Sequence, residues 1–227
     1  TIARTLGITC STDIGLVSIE YTCFDVDNES YSQTLSLPAT GVNMTKLNEL
    51  EKFVRQFEAG DGQWTIGQIH KCLREIANQK SAYSSVIAGL SSGLACAGFI
   101  FLLGGGLPEV ICAFFGAGVG NYVRSLMGKR KITLVAKIAV AVAVACVVYF
   151  ACFNLGTLLF HLDHHHAYGY IGAMLFVIPG FPFITSGLDM SKLDMRSGLE
   201  RLTYAILIIT IATMAGWAVA TVLNLHP

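Results

Sequence analysis

Ile178-Pro179-Gly180-Phe181-Pro182-Phe183-Ile184-Thr185-Ser186-Gly187-Leu188-Asp189 closes an apolar segment that opens near Tyr168. Pro179 and Pro182 each lack an amide hydrogen and crowd the carbonyl one turn back, so the backbone oxygens of Leu175 and Ile178 are expected to lose their helical partners. In hydrocarbon such oxygens must find other donors, and irregular backbone at that depth survives only where protein buries it or where it lines a watery path. One reading is a proline kink followed by a turn, since both residues are common in membrane helices. The sharper one is a substrate or ion site.

Outward from this stretch, the chain is 53% hydrophobic and only 13% charged over 227 residues, with a mean hydropathy of +0.59. A soluble globule carries about a quarter of its residues as charges, so the composition is that of a polytopic membrane protein. All the long uncharged runs lie after Lys80, which divides the chain into a soluble domain, residues 1–80, and a membrane domain, residues 81–227. Net charge is zero and no basic block is interleaved with aromatics, which excludes nucleic acid as a partner. Thr1 opens the sequence without a charged-then-apolar leader, so no signal peptide is expected in these residues.

Apolar runs predict five transmembrane helices at 82–103, 107–127, 132–160, 168–184 and 202–223. A span needs about 20 residues, so the third is long enough to tilt and the fourth, which carries the prolines, is short. Small residues recur every fourth position: Ser85, Gly89, Gly93 and Ala97 in the first span, Gly116 and Gly120 in the second, Ala212, Gly216 and Ala220 in the fifth. Such faces let helix backbones approach closely.

In the first 80 residues, Val17, Ile19, Tyr21 and Cys23 alternate with polar residues, as do Tyr31, Gln33, Leu35 and Leu37, which predicts an antiparallel hairpin. Its acidic loop, Asp25 to Ser30, lacks the sixth-position glycine and the downstream glutamate of a calcium loop. Two amphipathic helices follow, one through Leu47, Leu50, Phe53, Val54 and Phe57, the other through Ile66, Ile69, Leu73 and Ile76, with Thr65 and Gln68 as a capping box. This makes a small N-terminal α+β domain without a nucleophile, base and orienting residue, so no enzyme is expected. Seven cysteines, an odd total without a CxxC pair, argue against a disulfide framework, and Cys10, Cys23 and Cys72 suit a reducing cytosol.

Two further groups are candidates for chemistry. His161, His164, His165 and His166, with Asp163, form a cluster of imidazoles between the third and fourth spans. Contiguous histidines in a short link lack the second shell that fixes metal ligands, so the site reading is no metal and no cofactor, with this cluster the one weak candidate. Ionisable groups at membrane depth are functional hypotheses by default. Lys137 is placed to snorkel; Asp189 can approach the freed carbonyls if the chain turns at Pro179; Asp194, Arg196, Glu200 and Arg201 read as a solvated loop and helix cap.

The run Pro179-Gly180-Phe181-Pro182 followed by Asp189, then Gly198 and Arg201 at the last span, resembles the signature of the threonine/serine exporter family. Leu6-Gly7, Gly41 to Met44 and Gly104 to Gly106 are similar too, so the resemblance runs through most of the chain. It implies a subunit of a secondary exporter that moves threonine and serine, or a dicarboxylate such as succinate, across the inner (plasma) membrane, driven by the proton gradient because no P-loop is present. It implies a substrate or ion pathway at Pro179, Gly180, Pro182, Thr185, Asp189, Gly198 and Arg201, and a four-span partner subunit or further copies of the chain. Thr185 stands where the family usually has asparagine, offering a hydroxyl in place of an amide. The alternative is a membrane-embedded regulatory or scaffolding subunit whose cytoplasmic domain binds a ligand.

All 15 Lys and Arg precede the first span, surround the second-to-third link (Arg124 and Lys137 within the flanking spans) or fall in the fourth-to-fifth link, and the other two links and the last residues have none. Positive charge stays inside, so the soluble domain is expected in the cytoplasm and the end of the chain outside. A reporter inserted at Gly62 should read cytoplasmic and one after Pro227 external; both on the same side would refute the five-span count.

Overall fold

The computed structural model describes residues 7–24, 29–37, 43–60, 64–79, 83–130, 132–160 and 167–223. The chain divides into two compact units, Thr1–Ala82 with Asp194–Glu200, and Tyr83–Leu193 with Arg201–Pro227.

In the first unit, β1 (Thr9–Ile14), β2 (Ser18–Phe24) and β3 (Ser30–Ser36) form an antiparallel sheet in that order. The expected hairpin is β2–β3, with Ile19 opposite Leu35 and Tyr21 opposite Gln33; Tyr21 Oη donates to Gln33 Oε1 at 2.5 Å and the Thr22 and Ser32 hydroxyls meet at 2.9 Å. Strand β1 is an addition to the sequence reading, and it corrects the cysteine argument. Its register sets Cys10 opposite Cys23, their Cα atoms are 4.2 Å apart, and the two are joined as a disulfide. An odd total of cysteines excludes a fully paired framework, not a single cross-strand bridge. Cys72, Cys96, Cys112, Cys146 and Cys152 are free. Residues 25–28 of the acidic loop fall outside the described residues, and Ser30 already belongs to β3.

Asp194–Glu200 closes over the β1–β2 turn. Leu16 N–H donates to Glu200 Oε2 at 2.7 Å, Ser197 Oγ donates to the Ile14 carbonyl at 2.6 Å, and Arg196 pairs with Asp13 and with Glu200, the latter at 3.5 Å. Asp194 caps the helix as expected, accepting from Ser197 N–H at 3.2 Å. Arg196 stays exposed but, with Glu200, also partners the turn, where Gly15 leaves Glu200 room to reach the backbone.

Helices α1 (Met44–Glu58) and α2 (Ile66–Asn78) start as their sequences direct. Asn43 accepts from Thr45 and Lys46 N–H, and Thr65 and Gln68 form the capping box. Phe53, Phe57 and Ile69 are buried with Trp64, Leu73 and Ile76 against them. The leading residues of both stripes, Leu47 and Ile66, are exposed. His70 is exposed as well.

The second unit contains α3 (Ser85–Leu102), α4 (Leu107–Lys129), α5 (Leu134–Phe160), α6 (Ala167–Met174), a 3-10 turn (Leu175–Val177), α7 (Gly180–Ser191) and the greater part of α8 (Met195–Val222). Helices α3, α4, α5 and α8 are each long and apolar enough to cross a membrane, and a fifth crossing arises if the pair Gly169–Val177 and Gly180–Ser191, bent by 61°, is counted as one span. Helix α7 runs past residue 184 and α8 begins before residue 202, the boundaries read from hydropathy, because polar and charged turns continue each helix beyond its apolar stretch.

Glycine faces decide the packing. A Cβ at Gly89 would meet the Gly118 carbonyl at 2.8 Å, and one at Gly93 would meet that of Phe114 at 2.6 Å, so α3 and α4 are in backbone contact. At Gly120 a Cβ would lie 2.7 Å from Ala145 Cβ and 2.8 Å from Phe176 Cζ. Gly216 is buried, and its carbonyl accepts from Tyr170 Oη at 2.7 Å. Gly120→Val should therefore lower the unfolding free energy of the purified chain in detergent by about 1–3 kcal/mol, the usual cost of overpacking. Gly98→Ala, where nothing lies within 4 Å of the new methyl, should be neutral or slightly stabilising; equal effects from the two would contradict this packing.

Candidate functional site

The helix beginning at α6 cannot pass Pro179, and the structure shows how its backbone is satisfied. It first tightens into the 3-10 turn, where Ile178 N–H donates to the Leu175 carbonyl at 3.1 Å. Gly180 N–H then donates to the Ile178 carbonyl at 2.9 Å, and helix resumes with Phe183 N–H on the Pro179 carbonyl at 3.2 Å. Pro179 is the N-cap residue of α7 and is buried. Pro182 lies in the first turn of α7, where amides have no intrahelical acceptor anyway, so it starts this helix rather than breaking the previous one. Both carbonyls expected to be freed are thus met by neighbouring amides.

The oxygen that needs outside help is that of Phe176, and Arg124 Nη1 donates to it at 3.3 Å from α4. Sequence reading had placed Arg124 only among the charges that set orientation. Its signal was available: it lies inside the α4 helix, five residues before the terminal Lys129, on the side of the helix that carries Gly116 and Gly120. Arg124 is also within electrostatic reach of Tyr204, one turn along α8 from Arg201.

Thr185 spends its hydroxyl on its own helix, sharing it between the Phe181 carbonyl at 2.9 Å and that of Pro182 at 3.2 Å. Gly180 is exposed, with open space where a Cβ would be. Asp189 does not approach the break: α7 is continuous from Gly180 to Ser191, which sets it about 14 Å further along the axis at 1.5 Å per residue. There Asp189 Oδ2 meets Arg201 Nη1 at 2.6 Å, with the two side chains 20% and 28% exposed. This oxygen is shut off from water and has no hydrogen bond of good geometry, so the contact is held by charge. Leu193, in the left-handed region at φ 66°, closes α7 and lets the chain reverse. Gly198 is buried in the first unit and is not part of this group.

At the other end of α4, about 22 Å along the helix from Arg124, lies a buried carboxylate that is not among the sequence-predicted site residues. Glu109 is 6% exposed. Its Oε2 accepts from Gly106 N–H at 3.0 Å, so the residue caps α4. The histidine cluster, His161 to His166, lies outside the described residues. Among the described residues no group of three or more His, Cys, Asp or Glu side chains could hold a metal.

Comparison with known proteins agrees with this architecture. A family model described as "Putative threonine/serine exporter" matches residues 1–224. The chain is 28% identical over 197 residues to "Probable succinate transporter subunit YjjP" of Escherichia coli, covering 86% of this chain and 72% of that protein. It is 27% identical over 202 residues to the protein of the same name from Klebsiella aerogenes, with the same coverage. No solved structure matches. With the family model spanning nearly all of its length, this chain belongs to the threonine/serine exporter family.

Proposed function

We propose that the chain is a subunit of a secondary exporter, and that the Asp189–Arg201 ion pair, at the far end of the helix that follows the break, is where it meets its substrate. The observation that carries this reading is the pair itself. A partly buried aspartate and arginine on consecutive helices, at the end of the unit where α7 turns into α8, can be opened by a solute that supplies the missing charge. The family and the relatives named as transporter subunits support the same function.

Substrate class follows from the charges. A dicarboxylate such as succinate would take Arg201 with one carboxylate, displacing Asp189 from its guanidinium partner. Arginine suits this because its planar fork matches carboxylate geometry. Threonine or serine is the second reading, favoured by Asp189 itself, which offers an anionic contact for an ammonium group. The proton gradient is the proposed driving force and the inner membrane the proposed location. A four-span partner or a second copy of the chain is proposed to complete the path.

The cytoplasmic placement of the first unit rests on the positions of the 15 basic residues. The Cys10–Cys23 bridge pulls the other way, since disulfides are rare in a reducing compartment. Charge asymmetry carries more weight, because two cysteines directly opposed on paired strands sit together as readily in the reduced form.

Export from vesicles containing the chain and its partner tests the proposal. Asp189→Asn and Arg201→Gln should each cut export at least about tenfold with abundance near normal. The pair's own worth is expected between the ~0–1 kcal/mol of an exposed ion pair and the ~3–5 kcal/mol penalty of orphaning a buried one. Pro179→Ala should also impair export, whereas Asp194→Asn, which keeps a capping oxygen, should be mild. Normal export by Asp189→Asn and Arg201→Gln would remove the site, and ligand binding by residues 1–80 without any transport would favour the regulatory reading. Excess succinate should compete with the exported label more strongly than threonine; the reverse order would select the amino acid.

A further inference from the structure

Glu109 and Tyr149 share a property that nothing in the exporter reading uses. The Glu109 side chain is 6% exposed and Tyr149 is 1% exposed. Glu109 Oε1 and the Tyr149 hydroxyl are each buried without a hydrogen-bond partner. The two lie within electrostatic reach of one another and of Cys112, which in turn reaches Cys152. Around them the core is apolar, with Ile100, Ala113, Phe153 and Ala173 packed in one cluster with Tyr149, and none of the ion pairs among the described residues includes Glu109.

Capping explains only half of this carboxylate. Its Oε2 serves Gly106 N–H, a task a neutral glutamine performs equally well. The second oxygen and the phenol remain, and leaving buried polar groups unpaired costs about 1–3 kcal/mol each. The backbone nearby is built to bring the carboxylate in: Gly104 takes φ +84°, and a Cβ on Gly105 would crowd Ile100 and come within 3.1 Å of Glu109 Oε2. Gly169, in turn, packs directly on the Tyr149 ring.

We propose that Glu109 Oε1 and the Tyr149 hydroxyl form a binding site for a small monovalent cation at the α3–α4 end of the second unit. One carboxylate oxygen and one neutral hydroxyl suit a single positive charge, while a calcium ion takes six to eight oxygens. The charge enclosed with Glu109 cancels the carboxylate's own, and the hydroxyl fills a second coordination position. Two sources share this chemistry, an inorganic ion and the ammonium group of an amino acid. That the ion would couple transport rests on the exporter reading; that it binds does not.

The test is a thermal unfolding midpoint measured on the purified full chain without a substrate gradient, in NaCl, KCl, NH4Cl or L-threonine against choline chloride at matched ionic strength. At least one small cation should raise the midpoint saturably, by about 3–6 °C at ten times its Kd, whereas choline should not. A response to sodium or potassium marks an inorganic ion, and a response confined to ammonium and threonine marks a substrate amine. Glu109→Gln, which retains the cap, should abolish the rise. Tyr149→Phe, which retains the stacking on Phe153 at 6.0 Å, should weaken binding about tenfold or more, and Asp189→Asn should leave the rise with an inorganic cation intact. A rise equal in choline, a rise undiminished in Glu109→Gln or in Tyr149→Phe, or no rise with any cation overturns the proposal. Loss of export by Asp189→Asn with the cation response preserved separates this site from the substrate site.

Discussion

A backbone carbonyl inside a bilayer has no water to turn to, and this constraint governs the second unit at the break after Val177. Pro179 ends one helix and begins another, and the chain answers with a 3-10 turn, two short backbone bonds and a guanidinium borrowed from α4. Arg124 is thereby fixed against α6, and α4 must lie close enough for it to reach. Gly116 and Gly120 supply that closeness, since a methyl at either would strike α5 and the α6 segment. Proline placement, glycine placement and one arginine are therefore a single solution. Removing any of them reopens the problem the other two solve.

Helix α4 then organises the charged chemistry. The buried face that carries Glu109, Cys112, Ala113, Gly116, Ala117 and Gly120 runs from a carboxylate near the Gly104–Gly106 link to Arg124 at the break. Between these ends the packing is tight and small, so each polar group is isolated within apolar surroundings. Charges held this way cannot relax into water and instead pair, as Asp189 and Arg201 do, or wait for a ligand.

Much of this was legible in the residues. Period-two alternation located β2 and β3, Thr65 with Gln68 located the start of α2, and the small-residue faces of α3, α4 and α8 became contact faces as read. Pro179 marked the break to the residue. What escaped depended on partners far away in sequence. Nothing local to Thr9–Ile14 says that Cys10 will face Cys23, and the disulfide followed only once the register was known. Arg124 and Glu109 lie close to helix ends, where charges normally meet water, so only three-dimensional packing reveals which are enclosed. Asp189, singled out for its charge, lies away from the freed carbonyls, because the turn expected at Pro179 is followed by an unbroken helix.

The central claim is that the broken segment faces a solute path rather than lipid, and Gly180 offers the most direct access to it. It is exposed, with open space around a side chain placed there, so Gly180→Cys should fold normally. Labelling of that cysteine in intact vesicles with a charged, membrane-impermeant maleimide reports whether water reaches the break. The account predicts labelling that saturates within minutes and is slowed by succinate or threonine, while the same reagent leaves the buried Cys96, Cys112 and Cys146 unmodified. A cysteine at 180 that reacts only with lipid-soluble reagents, unaffected by either solute, would contradict it and leave Pro179 as a kink in a lipid-facing helix.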